Sequence, residues 1–253
     1  DDAAAGNNPN VTLAPGDPRL PGVLDTDTNF DGIPDRDNIR RESHGTAVAG
    51  IALGDDDGTG IVGVAPDATY AAFNFLDGGP FSIPNTFSAA NVNNVDVFNS
   101  SWGNPNTREL RGGNFLDLQA IENAATSSIF VKSAGNNRTV NFPFQGWDRA
   151  NYDANHIRQS IVVAAAQQNG DIETYSNPGS NVLISAPVNR TGVGDTTTSD
   201  VQDVPAGRLG YVNGSINTGF NGTSAAAPMI SGTVALMLEA NPDLDWRDIQ
   251  HIL

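Results

Sequence analysis

A serine near the C-terminal end of the chain lies in a run of very small residues, Asn221-Gly222-Thr223-Ser224-Ala225-Ala226-Ala227-Pro228. The next stretch, Met229 to Leu238, repeats hydrophobic residues at helical spacing and ends near a stop signal, Asn241-Pro242. Ser224 is therefore expected where a loop becomes a helix. Backbone N–H groups and the positive end of the helix dipole at that point can stabilise an oxyanion. The pattern favours a nucleophile, and the alternative is a helix-packing face with a capping serine.

A histidine upstream has a similar setting. His44 stands in Ser43-His44-Gly45-Thr46-Ala47-Val48-Ala49-Gly50, where small residues follow one reactive side chain and open a short helix. A serine nucleophile needs a neutral imidazole as its base, and the chain has only three histidines. The other two, His156 and His251, have no comparable surroundings. His44 is therefore the candidate base.

A third group must hold that imidazole in the correct tautomer, and it is usually a buried carboxylate. We take Asp1 as the candidate. The chain order is then Asp, His and Ser, which is the order found in subtilisin.

With these motifs together, the sequence resembles the subtilases, and within them the kexin/furin branch and its bacterial secreted relatives. The segments around His44 and Ser224 match the family pattern almost residue for residue. Three further segments carry the resemblance, and together the matches cover essentially the whole chain: Ser100-Ser101-Trp102-Gly103, Ser133-Ala134-Gly135-Asn136 and the tail from Leu238 to Asp248.

The resemblance implies roles for two of these segments. Ser101, Trp102 and Gly103 correspond to the strand that binds the substrate backbone. Asn136 corresponds to the asparagine whose side chain donates to the oxyanion.

The aspartate of the triad has a competitor. Family members usually show Asp-x-Gly after a hydrophobic strand, whereas this chain shows Asp1-Asp2-Ala3. The segment Val23-Leu24-Asp25-Thr26 superficially matches the corresponding segment of subtilisins. Asp25 lies close to His44 in sequence, however, and Asp27 replaces the family glycine. We prefer Asp1 and keep Asp25 as the alternative.

Two acidic loops are candidates for calcium. In the first, oxygen-bearing residues alternate and Gly32 follows the fourth, which resembles half of an EF-hand loop. Its proposed ligands are Asp25, Asp27, Asn29 and Asp31, with Asp35 or Asp37 to close the shell, because Arg36 stands where an EF-hand has its glutamate. The second follows from the resemblance, with Asp57 and Asn10 at ligand positions. For both loops the alternative is a solvated acidic turn.

The resemblance also locates the pocket that selects the substrate. Furin-like enzymes line their S1 pocket with acids, and Asp153 and Asp148 retain two such positions; Asp2 matches at the second subsite. At three other positions the family acid is replaced, by Asn106, Asn177 and Arg41. Fewer carboxylates weaken the preference for basic residues, so we expect a specificity broader than that of kexin.

The composition argues against several classes of protein function. A formal net charge of −16 argues against nucleic-acid binding, which needs a basic surface. The chain has no cysteine and therefore neither a disulfide nor a thiol nucleophile. No hydrophobic run is long enough to span a membrane.

Short apolar runs alternate with helical patterns along the chain. Strands are predicted at Ala68–Leu76, Val95–Ser101, Ser128–Ser133, Ser160–Ala166 and Asn181–Ala186; helices are predicted after His44, at Thr86–Val92, at Phe115–Thr126 and after Ser224. This alternation predicts an α/β fold, a subtilisin-like parallel sheet with helices on both faces. Sites in such sheets gather outside the carboxyl ends of the strands.

The expected protein is a secreted, calcium-stabilised, monomeric serine endopeptidase that acts on proteins or peptides. Residues 1–253 are expected to form one catalytic domain, truncated at both ends, with a propeptide and a C-terminal module outside it. The alternatives are an inactive, calcium-binding subtilase-like module and an esterase. The Gly-x-Ser-x-Gly motif of α/β-hydrolases is absent around Ser224, which disfavours the esterase.

Overall fold

The computed structural model describes residues 11–13, 36–56, 58, 60–73, 83–103, 115–138, 150, 153–188, 196–199 and 216–253. The chain divides into two compact units. One comprises Asp1–Thr86 and Thr197–Thr218, and the other comprises Phe87–Thr196 and Gly219–Leu253.

The first unit carries His44. Strands β1 (Val11–Leu13) and β2 (Tyr70–Ala72) pair in parallel, and helix α1 spans Arg36–Leu53. His44 was expected to open its helix, but the helix begins upstream, so the histidine lies inside it. The charged segment before His44 has no apolar periodicity, which concealed this start.

Two one-turn helices, α2 (Ile83–Thr86) and α3 (Ala89–Val92), lie where one helix from Thr86 to Val92 was predicted; α2 ends the first part of the first unit, and α3 lies near the start of the second. The chain breaks at Ser88, whose backbone is extended. Just before the break, Phe87 is buried against the rings of Phe98 and Phe130, with centroids 4.8 and 5.6 Å away. The ring is thus buried at the point where the helical conformation is interrupted.

A four-stranded parallel sheet forms the core of this unit. Its strands, in spatial order, are β3 (Val97–Ser100), β4 (Ile129–Ser133), β5 (Ser160–Ala166) and β6 (Val182–Pro187). Every residue of β4 and β5 is buried. Because successive side chains point to opposite faces, both faces of these strands are covered. The predicted parallel sheet and α/β fold are therefore confirmed.

Helices connect and cover this sheet. Helix α4 (Phe115–Ala124) leads into β4, within the predicted span. Strands β7 (Thr196–Ser199) and β8 (Ile216–Phe220) pair with each other. Helix α5 (Thr223–Ala240) begins at the predicted place and contacts all four strands from β3 to β6. Its small residues allow this close approach, since Ala225, Ala226 and Ala227 are fully buried.

The last helix, α6, spans Trp246–Ile252. Asp245 caps it, since its carboxylate accepts from the N–H groups of Arg247 and Asp248 at 2.7 and 3.0 Å. The Asp248 carboxylate accepts in turn from the Asp245 N–H at 3.1 Å and completes a capping box. Hydrogen bonding to the Asp248 N–H lowers the pKa of Asp245, because it favours the charged carboxylate. None of the helices in the described ranges combines the length and apolar character needed to cross a membrane.

Candidate active site

Ser224 is the second residue of α5, and the residue before the helix has an unusual backbone. Gly222, the N-cap, has φ 91° and ψ 170°, a region open almost only to glycine. A Cβ at this position would lie 3.0 Å from Nδ2 of Asn136. Glycine is therefore required here twice, for its backbone conformation and for the approach of Asn136.

The Ser224 side chain lies in a pocket of the second unit. The residues that line it come from three loops at the carboxyl ends of β3 and β4 and at the start of α5: Ser101, Trp102, Gly103, Ser133, Gly135, Asn136, Asn137, Thr223 and Ser224. Parallel sheets place their sites at this edge. Ser224 is half-buried here.

The amide of Asn136 is held in one orientation. Its Oδ1 accepts from the backbone N–H and from the hydroxyl of Thr223, both at 2.9 Å. The Thr223 hydroxyl also accepts from the N–H of Gly135 at 3.0 Å. Because a backbone N–H can only donate, these contacts identify Oδ1 and leave Nδ2 as the donor of this amide.

A second set of contacts connects the end of β3 to the nucleophile helix. The Ser101 hydroxyl accepts from Nδ2 of Asn99 at 3.1 Å and donates to the Ser224 carbonyl at 3.1 Å. The Ser224 hydroxyl lies 3.4 Å from the Ser101 carbonyl, and Ser231 of α5 donates to Oδ1 of Asn99 at 2.9 Å. These bonds fix the segment after β3 against the serine.

The indole of Trp102 is supported from within the sheet. Nζ of Lys132, a fully buried residue of β4, lies 4.2 Å from the centroid of this ring. An ammonium over an indole face is attracted by the ring quadrupole. The contact orients one wall of the pocket.

His44 lies on α1 in the first unit and is half-buried. Desolvation by burial lowers its pKa below the usual value of 6.5. The neutral imidazole, which a general base requires, is therefore favoured at neutral pH.

The pocket brings together five predicted site residues: Ser101, Trp102, Gly103, Asn136 and Ser224. Asp153 begins a 3₁₀ turn, Asp153–His156, directly before β5. The other carboxylate and amide predictions lie outside the described residues: Asp1, Asp2, Asn10, Asp25, Asp27, Asn29, Asp31, Asp35, Asp57 and Asp148. Among the residues that are described, no three or more acidic, His or Cys side chains form a cluster suited to a metal.

Sequence reasoning missed the residues that hold the site in place. These residues are Thr223 beside Ser224, Asn99 in β3 and Tyr175 in the segment after β5. The Tyr175 hydroxyl accepts from the N–H of Gly222 at 3.0 Å. Proximity to the serine motif could have suggested Thr223, but no local signal marks Tyr175.

The family model described as the subtilase family, peptidase S8, matches residues 21–253. The chain belongs to the subtilase family. The matched residues of this subtilase include Asp25 and begin after Asp1, and they contain every residue that lines the pocket.

Several subtilases resemble the chain. An extracellular serine protease of Aeromonas sobria is 31% identical over 83% of this chain and 40% of the relative. A calcium-dependent protease of a Nostoc strain is 29% identical over 89% of this chain and 36% of the relative. Human proprotein convertase subtilisin/kexin type 6 is 28% identical over the whole chain and 25% of the relative. The chain thus spans well under half the length of these relatives.

A solved structure resembles this subtilase closely. The crystal structure of the Aeromonas sobria serine protease has a TM-score of 0.77 and 27% identity, covering the whole of this chain and 49% of the other.

Proposed function

We propose that this subtilase is a serine endopeptidase that hydrolyses peptide bonds through an acyl-enzyme. One observation carries the proposal. The Ser224 hydroxyl stands at the start of a helix, in a pocket that it shares with the Asn136 amide and the Ser101–Gly103 segment. Nucleophile, oxyanion donor and peptide-binding backbone are three elements that peptide hydrolysis by acyl transfer uses, beside a general base.

In the proposed reaction, the Ser224 hydroxyl attacks the scissile carbonyl while His44 takes its proton. His44 then gives that proton to the leaving amine, which leaves an acyl group on Ser224. Water, deprotonated by His44, hydrolyses the acyl-enzyme and restores the hydroxyl. Asp1 orients His44 and stabilises the imidazolium, with Asp25 as its competitor.

The oxyanion is stabilised by Nδ2 of Asn136 and the backbone N–H of Ser224. The contacts from Thr223 to Oδ1 support this role for Asn136, because they leave the NH₂ group as the donor. The Ser224 N–H lies in the first turn of α5, where backbone donors have no acceptor within the helix.

The substrate backbone pairs with Ser101, Trp102 and Gly103, which extend from the carboxyl end of β3 and line the pocket. Asp153, Asp148 and Asp2 contribute the remaining acidic character of the subsites. The resulting specificity is broader than that of kexin.

Calcium stabilises the domain in this proposal, through the loop that contains Asp25, Asp27, Asn29, Asp31 and Asp35 and through Asp57 with Asn10. Carboxylate and amide oxygens are the ligands that calcium prefers. The similarity to a calcium-dependent protease supports this assignment.

The protein is secreted and monomeric, its substrates are proteins or peptides, and a propeptide and a C-terminal module lie outside this chain. Similarity to an extracellular protease supports secretion.

An activity-based probe tests the proposal. We expect a fluorophosphonate to label the protein at Ser224, because only an activated serine reacts rapidly with it. Mass spectrometry of the digested adduct locates the phosphonyl group, and heat-unfolded protein is the control. Intact, folded protein that resists labelling and does not cleave a peptide library would contradict the proposal and favour an inactive binding module.

The two candidate aspartates can be separated by one pair of variants. We expect Asp1→Asn to lower kcat by about 10⁴-fold, because the imidazole loses the partner that holds its tautomer. Asp25→Asn should keep kcat but reduce the gain in Tm that calcium gives. Saturation at a hundredfold excess over Kd stabilises by about 2.7 kcal/mol, or roughly 5–10 °C in a domain of this size.

Differential scanning calorimetry with calcium, with magnesium and with a chelator measures this gain. Asp57→Asn tests the second loop in the same way, and Asp56→Asn, at the next position in sequence and exposed, is its matched control. A large loss of kcat in Asp25→Asn, with Asp1→Asn fully active, would reverse the assignment. A Tm that the chelator leaves unchanged would contradict the calcium sites.

A further inference from the structure

A short segment after β5, Tyr175 to Asn177, runs beside the loop that carries Asn136. Asn177 is buried, and its side-chain amide bonds to that loop in both directions. Its Oδ1 accepts from the N–H of Asn137 at 2.8 Å, and its Nδ2 donates to the carbonyl of Ala134 at 3.0 Å. The Asn177 N–H donates to the Gly135 carbonyl at 2.9 Å. Three bonds thus flank Asn136 on both sides along the chain.

Tyr175 connects the same loop to the nucleophile. Its carbonyl accepts from the N–H of Arg138 at 3.1 Å, and its hydroxyl accepts from the N–H of Gly222 at 3.0 Å. One residue therefore contacts both loops that supply the proposed oxyanion donors. Asn136 lies on the first loop, and the backbone N–H of Ser224 follows Gly222 on the second.

The segment is itself fixed to the core. Ser176 is fully buried, and its hydroxyl accepts from the N–H of Ala165 in β5 at 3.0 Å. The N–H of Glu173 donates to the carbonyl of Ala165 at 2.9 Å. The fully buried strand β5 thus sets the position of Tyr175. Because Tyr175 is held in this way, its hydroxyl can fix the position of the Gly222 N–H.

Gly222 is a point where such support matters. Its backbone occupies the glycine-only region, and such conformations persist only when the surroundings over-determine them. Gly222 is buried, so its N–H needs an acceptor within the protein, and the Tyr175 hydroxyl provides it. Without that acceptor, the backbone of the turn before Ser224 loses a hydrogen bond that holds it in position.

We propose that Tyr175 is a positioning residue that sets the spacing between the two oxyanion donors, with Asn177 as its partner on the Asn136 side. The inference rests on the proposed acyl-transfer function. Tyr175 is not among the residues that line the pocket. It acts through Gly222 on the Ser224 N–H and through the 134–138 loop on Asn136.

The test is Tyr175→Phe, which removes one hydroxyl oxygen and keeps the ring. We expect kcat to fall about tenfold with KM unchanged, because a buried N–H loses its acceptor and the oxyanion donors lose alignment. Steady-state kinetics on a peptide substrate, with active sites titrated by the fluorophosphonate, gives both constants. Tyr70→Phe in β2 removes the same oxygen from a residue that does not line the pocket, and it should match the wild type.

A double-mutant cycle separates positioning from general support. Asn136→Ala alone should cost about 10²–10³-fold in kcat. In that background we expect Tyr175→Phe to cost less than about twofold, since one of the two donors to be aligned is gone. Should Tyr175→Phe reduce the folded fraction, Asn177→Ala is the second test. It removes the side-chain bonds to Asn137 and Ala134 without adding a charge to the substrate pocket, and kcat should fall in the same non-additive way.

Unchanged kcat in Tyr175→Phe, or effects that multiply fully in the double variant, would overturn the inference and leave the proposed function intact. Wild-type protein that neither cleaves peptides nor reacts at Ser224 would instead overturn the proposed function. The two failures are therefore distinguishable.

Discussion

Replacement of Ser224 by alanine is expected to lower kcat for peptide hydrolysis by about 10⁶-fold, while the domain stays folded. In the proposed mechanism this hydroxyl forms the acyl-enzyme. The substitution fits the local structure, because Ala225, Ala226 and Ala227 already pack at the same helix start. Alanine also has a higher helix propensity than serine.

The measurement is single-turnover cleavage of a peptide, with Tm from calorimetry as the test of folding. Ser185→Ala, an exposed serine in β6, is the matched control and should retain full activity. Residual activity in Ser224→Ala above about a thousandth of the wild-type value would show that another nucleophile operates, because the loss expected for this role is far larger.

The sheet could be predicted from the sequence because its strands are apolar runs of the right length. The predicted bounds of β5, Ser160–Ala166, agree with the structure, and β4 begins one residue later than predicted. Buried parallel strands are hydrophobic throughout, so they leave a clear local pattern. The small residues around Ser224 are equally local, which is why the start of α5 was predictable.

The contacts that orient the site leave no such pattern. Thr223 bonds to Asn136, and Tyr175 to Gly222, across large separations in sequence. These polar contacts depend on how the sheet aligns its loops, and neither hydroxyl differs in type from many others in the chain. The break at Ser88 has no local signal either; it adjoins Phe87, whose ring packs on Phe130, a residue distant in sequence.

Replacement of His44 by alanine should lower kcat by a similar factor of about 10⁶, because the Ser224 hydroxyl is a weak nucleophile without its base. The losses from Ser224→Ala and His44→Ala are expected not to add, since the two residues act as a unit. His156→Ala and His251→Ala, both at exposed positions, are the matched controls. A His44→Ala protein that keeps more than about a hundredth of the wild-type kcat would contradict its role as the base.

The pH dependence of the wild type provides an independent measure of the same residue. Burial lowers the pKa of His44 below 6.5, so the imidazole remains neutral as the pH falls through that value. Activity that needs the neutral base is then lost only at lower pH, and kcat/KM should show an acid limb with a midpoint below 6.5. The free energy of unfolding depends on pH in the same direction. The unfolded chain takes up the proton first, so the contribution of His44 is complete above 6.5 and is lost as the pH falls through the folded-state pKa. An acid limb above 6.5 would mean that a carboxylate beside the imidazole outweighs its burial.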